Sequence, residues 1–191
     1  MDKQLVHRKT SPAPRRPLSP RKASPFLGRA DELSCLTNTL ALAAEGHGYA
    51  VFLTGQPGIG KTRLAQECLA LARSRGFTVL EGRGLPLGNG LAYSPVIGAL
   101  DPLLRSLDPA DLKALVAGLS HLGRLFDGVQ LPPPESLGDP ALEKTRLFGA
   151  VDRRLKRLAE EAPVVLFIDD VHWADESTLE LLQYLASDLS R

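Results

Sequence analysis

An eight-residue run, Gly55-Gln56-Pro57-Gly58-Ile59-Gly60-Lys61-Thr62, constrains this chain more than any other feature. It fits the pattern G-x-x-x-x-G-K-S/T without a mismatch. Before it stands Tyr49-Ala50-Val51-Phe52-Leu53-Thr54, a short apolar, β-rich stretch that predicts a buried strand. After it, Leu64, Cys68, Leu71 and Ala72 recur at helical spacing. Arg73 and Arg75 occupy the last turn, and Gly76 supplies the stop. A strand, a glycine loop and a helix in that order make a cradle for an anion. Glycines keep side chains away, so backbone N–H groups from about Gly58 to Thr62 converge on phosphate oxygens. The helix points its positive end at the same oxygens. Lys61 is then placed to bridge the β- and γ-phosphates of a triphosphate, and the Thr62 hydroxyl to take one position on Mg²⁺. The alternative is a plain glycine turn ahead of a helix.

A magnesium ion beside such a loop needs a carboxylate opposite Thr62. Val164-Val165-Leu166-Phe167-Ile168-Asp169-Asp170 can supply it: five apolar residues predict a buried strand with two acids at its C-terminal end, the edge where open α/β sheets bind ligands. Asp169 is the candidate metal partner, through water, and Asp170 the candidate to polarise an attacking water. Side chains alternate along a strand, so an unbroken strand does not turn both acids to the metal. Read alone, the pair is better taken as an ordinary acidic strand exit that caps the next helix; paired with the glycine loop upstream, the nucleotide reading wins.

The rest of the chain alternates in kind. Residues 31–45 carry Leu33, Leu36, Leu40 and Ala43 on one helical face and stop at Gly46, and Phe77–Leu80 predicts a second strand. Helices are predicted at about 94–106 and 109–120, around glycine-rich and proline-rich loops at 82–92 and 131–134. A long amphipathic helix runs from about Pro140 to Glu161, with Leu147, Val151, Leu155 and Leu158 on its stripe, and Pro163 ends it. Asp175 reads as the N-cap of a last helix whose apolar face is Leu179, Leu182, Leu185 and Leu189. Solid apolar strands between helices imply an α/β fold with a parallel sheet covered on both faces.

Charge divides the chain unevenly. Residues 1–25 hold seven Lys and Arg, one acid and five prolines, so they read as a disordered basic tail: a solvated leader, or an arm for DNA or another acidic partner. The globular remainder is residues 26–191. The longest apolar runs are far short of a membrane helix, and no secretory h-region precedes residue 26, which points to a cytoplasmic chain with no membrane partner. Cys35 and Cys68 read as small buried hydrophobes, not a disulfide. Arg153, Arg154, Lys156 and Arg157 read as a solvated helix face, with Asp152–Lys156 an i,i+4 pair. The four histidines and two cysteines have no metal-ligand spacing.

Three blocks together resemble the AAA-type ATPase module, AAA-16 or Orc-like, of STAND P-loop NTPases such as large LuxR-type transcriptional regulators. Phe26-Leu27-Gly28-Arg29, followed by Glu32-Leu33, is similar to the family's N-terminal block, which lies against adenine and ribose. Gly55–Thr62 matches Walker A. Leu166–Asp175, reading LFIDDVHWAD, is similar to the extended Walker B. The resemblance implies a P-loop NTPase three-layer sandwich that binds ATP with Mg²⁺. The nucleotide ligands are then Phe26, Leu27, Gly28, Arg29, Gly55, Gln56, Pro57, Gly58, Ile59, Gly60, Lys61, Thr62 and Arg63. Thr62 and Asp169 fall to the metal, and Lys61 and Asp170 to catalysis. Arg29 is otherwise a surface arginine at a helix start, and His172 and Trp173 are otherwise packing residues. In the family a sensor strand, an arginine-bearing motif and a lid follow, none found before Arg191, so the sheet is expected to be incomplete at the C-terminus. The family's strand order, 5-1-4-3-2, then leaves the phosphate-loop strand and the Walker B strand each with an unpaired edge, and hydrolysis depends on the elements that follow. The expected role is a Mg-ATP switch in a signalling or transcription-regulating ATPase, acting through self-association or an output domain beyond residue 191. The alternatives are an origin-recognition-like DNA-associated ATPase, a small-molecule P-loop kinase and a truncated remnant without function.

Overall fold

The computed structural model describes residues 28–86, 92–105 and 138–189. In chain order these form α1 (Ala30–Ala44), α2 (Lys61–Ser74), β1 (Thr78–Arg83), α3 (Ser94–Arg105), α4 (Pro140–Glu161), β2 (Val164–Asp169), a 3-10 turn (Val171–Trp173) and α5 (Glu176–Asp188). The basic tail, Phe26, Leu27 and the helix expected at 109–120 lie outside the described residues.

β1 and β2 pair in parallel, Thr78 opposite Val164 and Arg83 opposite Asp169. The two-residue period of a strand sorts their side chains. Val79 and Val165 pack against Leu40 of α1 and Cys68 and Ala72 of α2. Leu80, Leu166 and Ile168 face the other way, into a larger cluster with Val96 and Leu100 of α3, Val151 and Leu158 of α4, and Leu181 of α5. Helices therefore cover both faces of a parallel sheet, the α/β arrangement of a P-loop NTPase. The close approach of α3 to the strand needs Gly82, where a Cβ atom would come within 1.9 Å of the Pro95 carbonyl oxygen.

Local chemistry sets the helix ends. Asp139 accepts a hydrogen bond from the Ala141 N–H at 2.9 Å, and Pro140 opens α4. Pro163 follows α4, and its carbonyl accepts from the Thr78 N–H at 2.9 Å, joining the helix exit to the start of β1.

Four expectations fail. On α5 and its C-cap, Leu182 and Leu185 pack against the core as expected, but Leu179 and Leu189 are exposed and Thr178 and Leu181 are the buried residues. The run Tyr49–Thr54 belongs to no ladder, and Tyr49, Val51 and Phe52 are exposed, Phe52 by 79%. An apolar run forms a buried strand only where a neighbouring strand takes up its backbone groups and helices cover its faces. Here β2 pairs with β1 alone, and no strand lies between β2 and the run among the described residues. Cys35 is exposed, whereas Cys68 is buried as expected. Arg154 is buried, with 8% exposure, and its Nε has no hydrogen-bond partner. Steps of four, three and four from Leu147 through Val151 and Arg154 to Leu158 put it on the apolar stripe, so helix geometry outweighs side-chain polarity. Burial pushes its pKa below the ordinary arginine value. Lys156 behaves as expected and pairs with Asp152 at 3.0 Å.

Truncating the two kinds of apolar side chain separates the buried core from the unpaired run. Leu181→Ala removes a side chain with no exposure and is expected to cost about 2–5 kcal/mol in urea denaturation. Phe52→Ala is expected to change stability by no more than about 0.5 kcal/mol.

Candidate functional site

The C-terminal end of β2 and the N-terminal end of α2 meet. Thr62, on the first turn of α2, donates its hydroxyl to Asp169 at 3.2 Å from either carboxylate oxygen, across 107 residues of sequence. Asp169 shares the strand face of Val165, the face covered by α2. Asp170 leaves the strand in the left-handed region at φ 50°, and its N–H donates to Asp169 Oδ1 at 3.0 Å. That turn sends its carboxylate elsewhere: Arg83, the last residue of β1, donates to Asp170 Oδ2 through Nε at 3.0 Å and Nη2 at 2.8 Å. The two acids thus part company because the strand ends at Asp169 and Asp170 turns out of it. The hydrogen bond to Asp170 raises the Arg83 pKa further above its usual value.

Gly58 and Gly60 sit at φ 76° and 95°, where a side chain strains the backbone. The Lys61 ammonium folds back and donates to the Gly55 and Gln56 carbonyls at 2.9 and 3.1 Å. Gln56, Pro57 and Ile59 are exposed around it. Arg63 pairs with Glu67 one turn along α2, with Nε to Oε1 at 2.8 Å. Arg29 pairs with Glu32 at 3.1 Å and donates its Nη2 to the Ile59 carbonyl at 2.9 Å. Beside Thr62 and Asp169 opens a cleft of about 490 Å³, whose polar walls include Gln66, Glu81 and Arg83.

Sequence reasoning missed Arg83, Gln66 and Glu81. Gln66 donates to Glu81 at 2.9 Å, and Arg73 pairs with the other Glu81 oxygen. The signal available for Arg83 was its place one strand-length after Phe77, which puts it level with Asp169 once two parallel strands are paired. His172 and Trp173 lie in the 3-10 turn with ring centroids 5.0 Å apart, and Trp173 is half exposed, so they do not serve as core. Asp175 caps α5 as expected, accepting from the Thr178 N–H at 2.9 Å. It also accepts from the Tyr93 N–H at 3.1 Å, which ties the turn before α3 to α5.

A glycine loop opening a helix, with a carboxylate from a neighbouring strand end against its threonine, is the arrangement of an α/β P-loop NTPase-like module. Comparison with known proteins narrows the class. The AAA ATPase domain family matches residues 25–191, and the chain belongs to it. It is therefore a nucleotide-binding ATPase module. A protein of Rhizobium meliloti (strain 1021), itself uncharacterized, is 27% identical over 175 residues, which is 85% of this chain and 17% of that protein. The chain thus spans about a sixth of the length of that relative. No solved structure matches. Among the described residues no helix is long and apolar enough to cross a membrane.

The Asp175 cap makes a pH prediction. Burial pushes its carboxyl pKa up, but hydrogen bonds from Thr178 and Tyr93 outweigh burial and hold it below the ordinary value. A depressed carboxyl stabilises the fold above the ordinary aspartate pKa of about 3.9, and that contribution is lost as the pH falls through the lower folded value. Asp175→Ala is expected to cost about 1–2 kcal/mol at pH 7. The gap between variant and wild type is expected to narrow below about pH 4 in pH-dependent chemical denaturation.

Proposed function

We propose that this chain is the Mg-ATP-binding switch of a signalling or transcription-regulating ATPase. The contact between Thr62 and Asp169 carries the reading: a hydroxyl and a carboxylate converge within 3.2 Å at the mouth of a glycine loop. A hydroxyl and a carboxylate at this distance fit a magnesium ion that would be held by the Thr62 oxygen and, through one of its waters, by Asp169. Among the described residues no group of three or more His, Cys, Asp or Glu is arranged to hold a metal. The donor set is small and all oxygen, as suits an ion that keeps its remaining positions for water and phosphate. When bound, magnesium supplies charge neutralisation at the triphosphate.

The chain's own groups do the rest. Amides from Gly58 to Thr62 bind phosphate oxygens at the start of α2. Lys61 exchanges the Gly55 and Gln56 carbonyls for the β- and γ-phosphates; a charge resting on neutral carbonyls gains by moving to anionic oxygens. Asp169 orients the Thr62 hydroxyl. We assign Asp170 to accept a proton from attacking water, a role that requires Arg83 to release Oδ2. A γ-phosphate that draws Lys61 and the strand ends together biases the module towards a closed state, and its loss reverses the bias. The output lies in a partner or in a further domain.

Lys61→Ala is expected to weaken ATP binding at least about tenfold in an equilibrium titration of the full chain. Asp169→Asn is expected to remove the gain in affinity that Mg²⁺ confers while leaving metal-free binding in place. An unchanged affinity in Lys61→Ala contradicts the reading.

A further inference from the structure

Arg29 is the residue whose contact least matches the role its resemblance implies. It stands just before α1, and its guanidinium is turned to the phosphate loop: Nη2 donates to the Ile59 carbonyl at 2.9 Å, while Nη1 is held by Glu32 at 3.1 Å. The base of this arm is fixed. The Arg29 carbonyl accepts from the Leu33 N–H at 3.1 Å, and α1 packs on α2 through Leu33, Leu36 and Leu40 against Cys68 and Ala72.

Ile59 has little else to hold it. Its side chain is half exposed, and its N–H makes a long bond of 3.4 Å to the Gln56 carbonyl. Its peptide link to Gly60 is trans, as are all the described peptides. In a trans peptide the C=O and the following N–H point in opposite directions. A carbonyl drawn towards Arg29 therefore sends the Gly60 N–H to the opposite side. If that peptide flips, a carbonyl oxygen replaces an N–H in the loop, and an anion meets repulsion instead of a hydrogen bond. Glycine at 60, already at φ 95°, offers little resistance to the flip.

Three loop carbonyls are held by cations in this structure: Gly55 and Gln56 by Lys61, and Ile59 by Arg29. Under the proposed function Lys61 leaves for the phosphates, so Arg29 is the cation that stays. We propose that Arg29 is a positioning residue for the phosphate loop. It fixes the Ile59–Gly60 peptide so that the Gly60 amide serves a polyphosphate, and it does so through the loop, without touching base or sugar. Glu32 orients it. This rests on the nucleotide reading above and adds a role for the N-terminal block: it couples α1 to the loop.

The test compares ATP with inorganic triphosphate, which has no adenine or ribose, on the full chain by calorimetric titration. Arg29→Ala is expected to weaken both by the same factor, about tenfold, or about 1.4 kcal/mol. In the nucleotide-free protein the Gly60 amide ¹⁵N resonance is expected to move on the same substitution. Arg29→Lys, which keeps the charge but has one nitrogen in place of the forked guanidinium, is expected to give a smaller but still equal loss for the two ligands, and it carries the test if Arg29→Ala does not fold. A loss confined to ATP makes Arg29 a base or ribose contact and overturns the proposal, as does unchanged affinity for both. A stationary Gly60 resonance overturns it too. Wild-type protein that binds neither ligand removes the nucleotide reading and the proposal with it, whereas wild-type binding with unequal losses removes the proposal alone.

Discussion

The contact of Thr62 with Asp169 is the constraint on which the rest depends. It joins the start of a helix to the end of a strand, at 3.2 Å and across 107 residues. Neither residue is placed by its own neighbours in sequence. Thr62 stands where it does because glycines at positive φ let the chain turn into α2. Asp169 stands where it does because β2 is aligned with β1, and β1 follows α2 after a single glycine stop. Helices on both faces of the strand pair fix that alignment. Leu166 and Ile168 are packed from one side and Val165 from the other, so a slip of one residue exchanges the two faces and turns Asp169 away from Thr62.

Around that contact, charged side chains hold backbone and carboxylates in defined places. Lys61 rests on loop carbonyls, Arg29 on the Ile59 carbonyl and Arg83 on Asp170. Arg83 is exposed, and Lys61 and Arg29 are only half-buried. In such surroundings a pair contributes little to stability. Their value is orientation: each cation keeps an oxygen turned to one side, and an anion arriving in the loop competes for Lys61 first, because Lys61 alone of the three is bound only to neutral acceptors. Under the proposed function Lys61 and Arg83 release the oxygens they hold, and Arg29 stays.

Much of this was legible from residue spacing. The bounds of α4 follow from Asp139, Pro140 and Pro163 together with a stripe at helical period, and the glycine run announces its own geometry. The divergence of Asp169 and Asp170 was not legible, because it comes from the left-handed turn at Asp170, where the strand has already ended. What else was not legible depends on partners distant in sequence. Tyr49–Thr54 reads as a strand, but a strand is defined by its neighbours, and this run has none among the described residues. The Arg29 contact with Ile59 spans 30 residues and two elements, and no local pattern encodes it. Arg154 was misread for a different reason. A charged residue on an apolar stripe was counted with the basic residues flanking it, when its helical phase already placed it inside.

The central claim is that Thr62 and Asp169 share one metal ion when nucleotide is bound. Manganese tests it directly: added with ATP to isotope-labelled protein in place of magnesium, it broadens the resonances of nuclei close to it. The account predicts that the signals of Thr62 and Asp169 are lost together, and only when ATP is present. Broadening at one of the two without the other, or at neither, contradicts it.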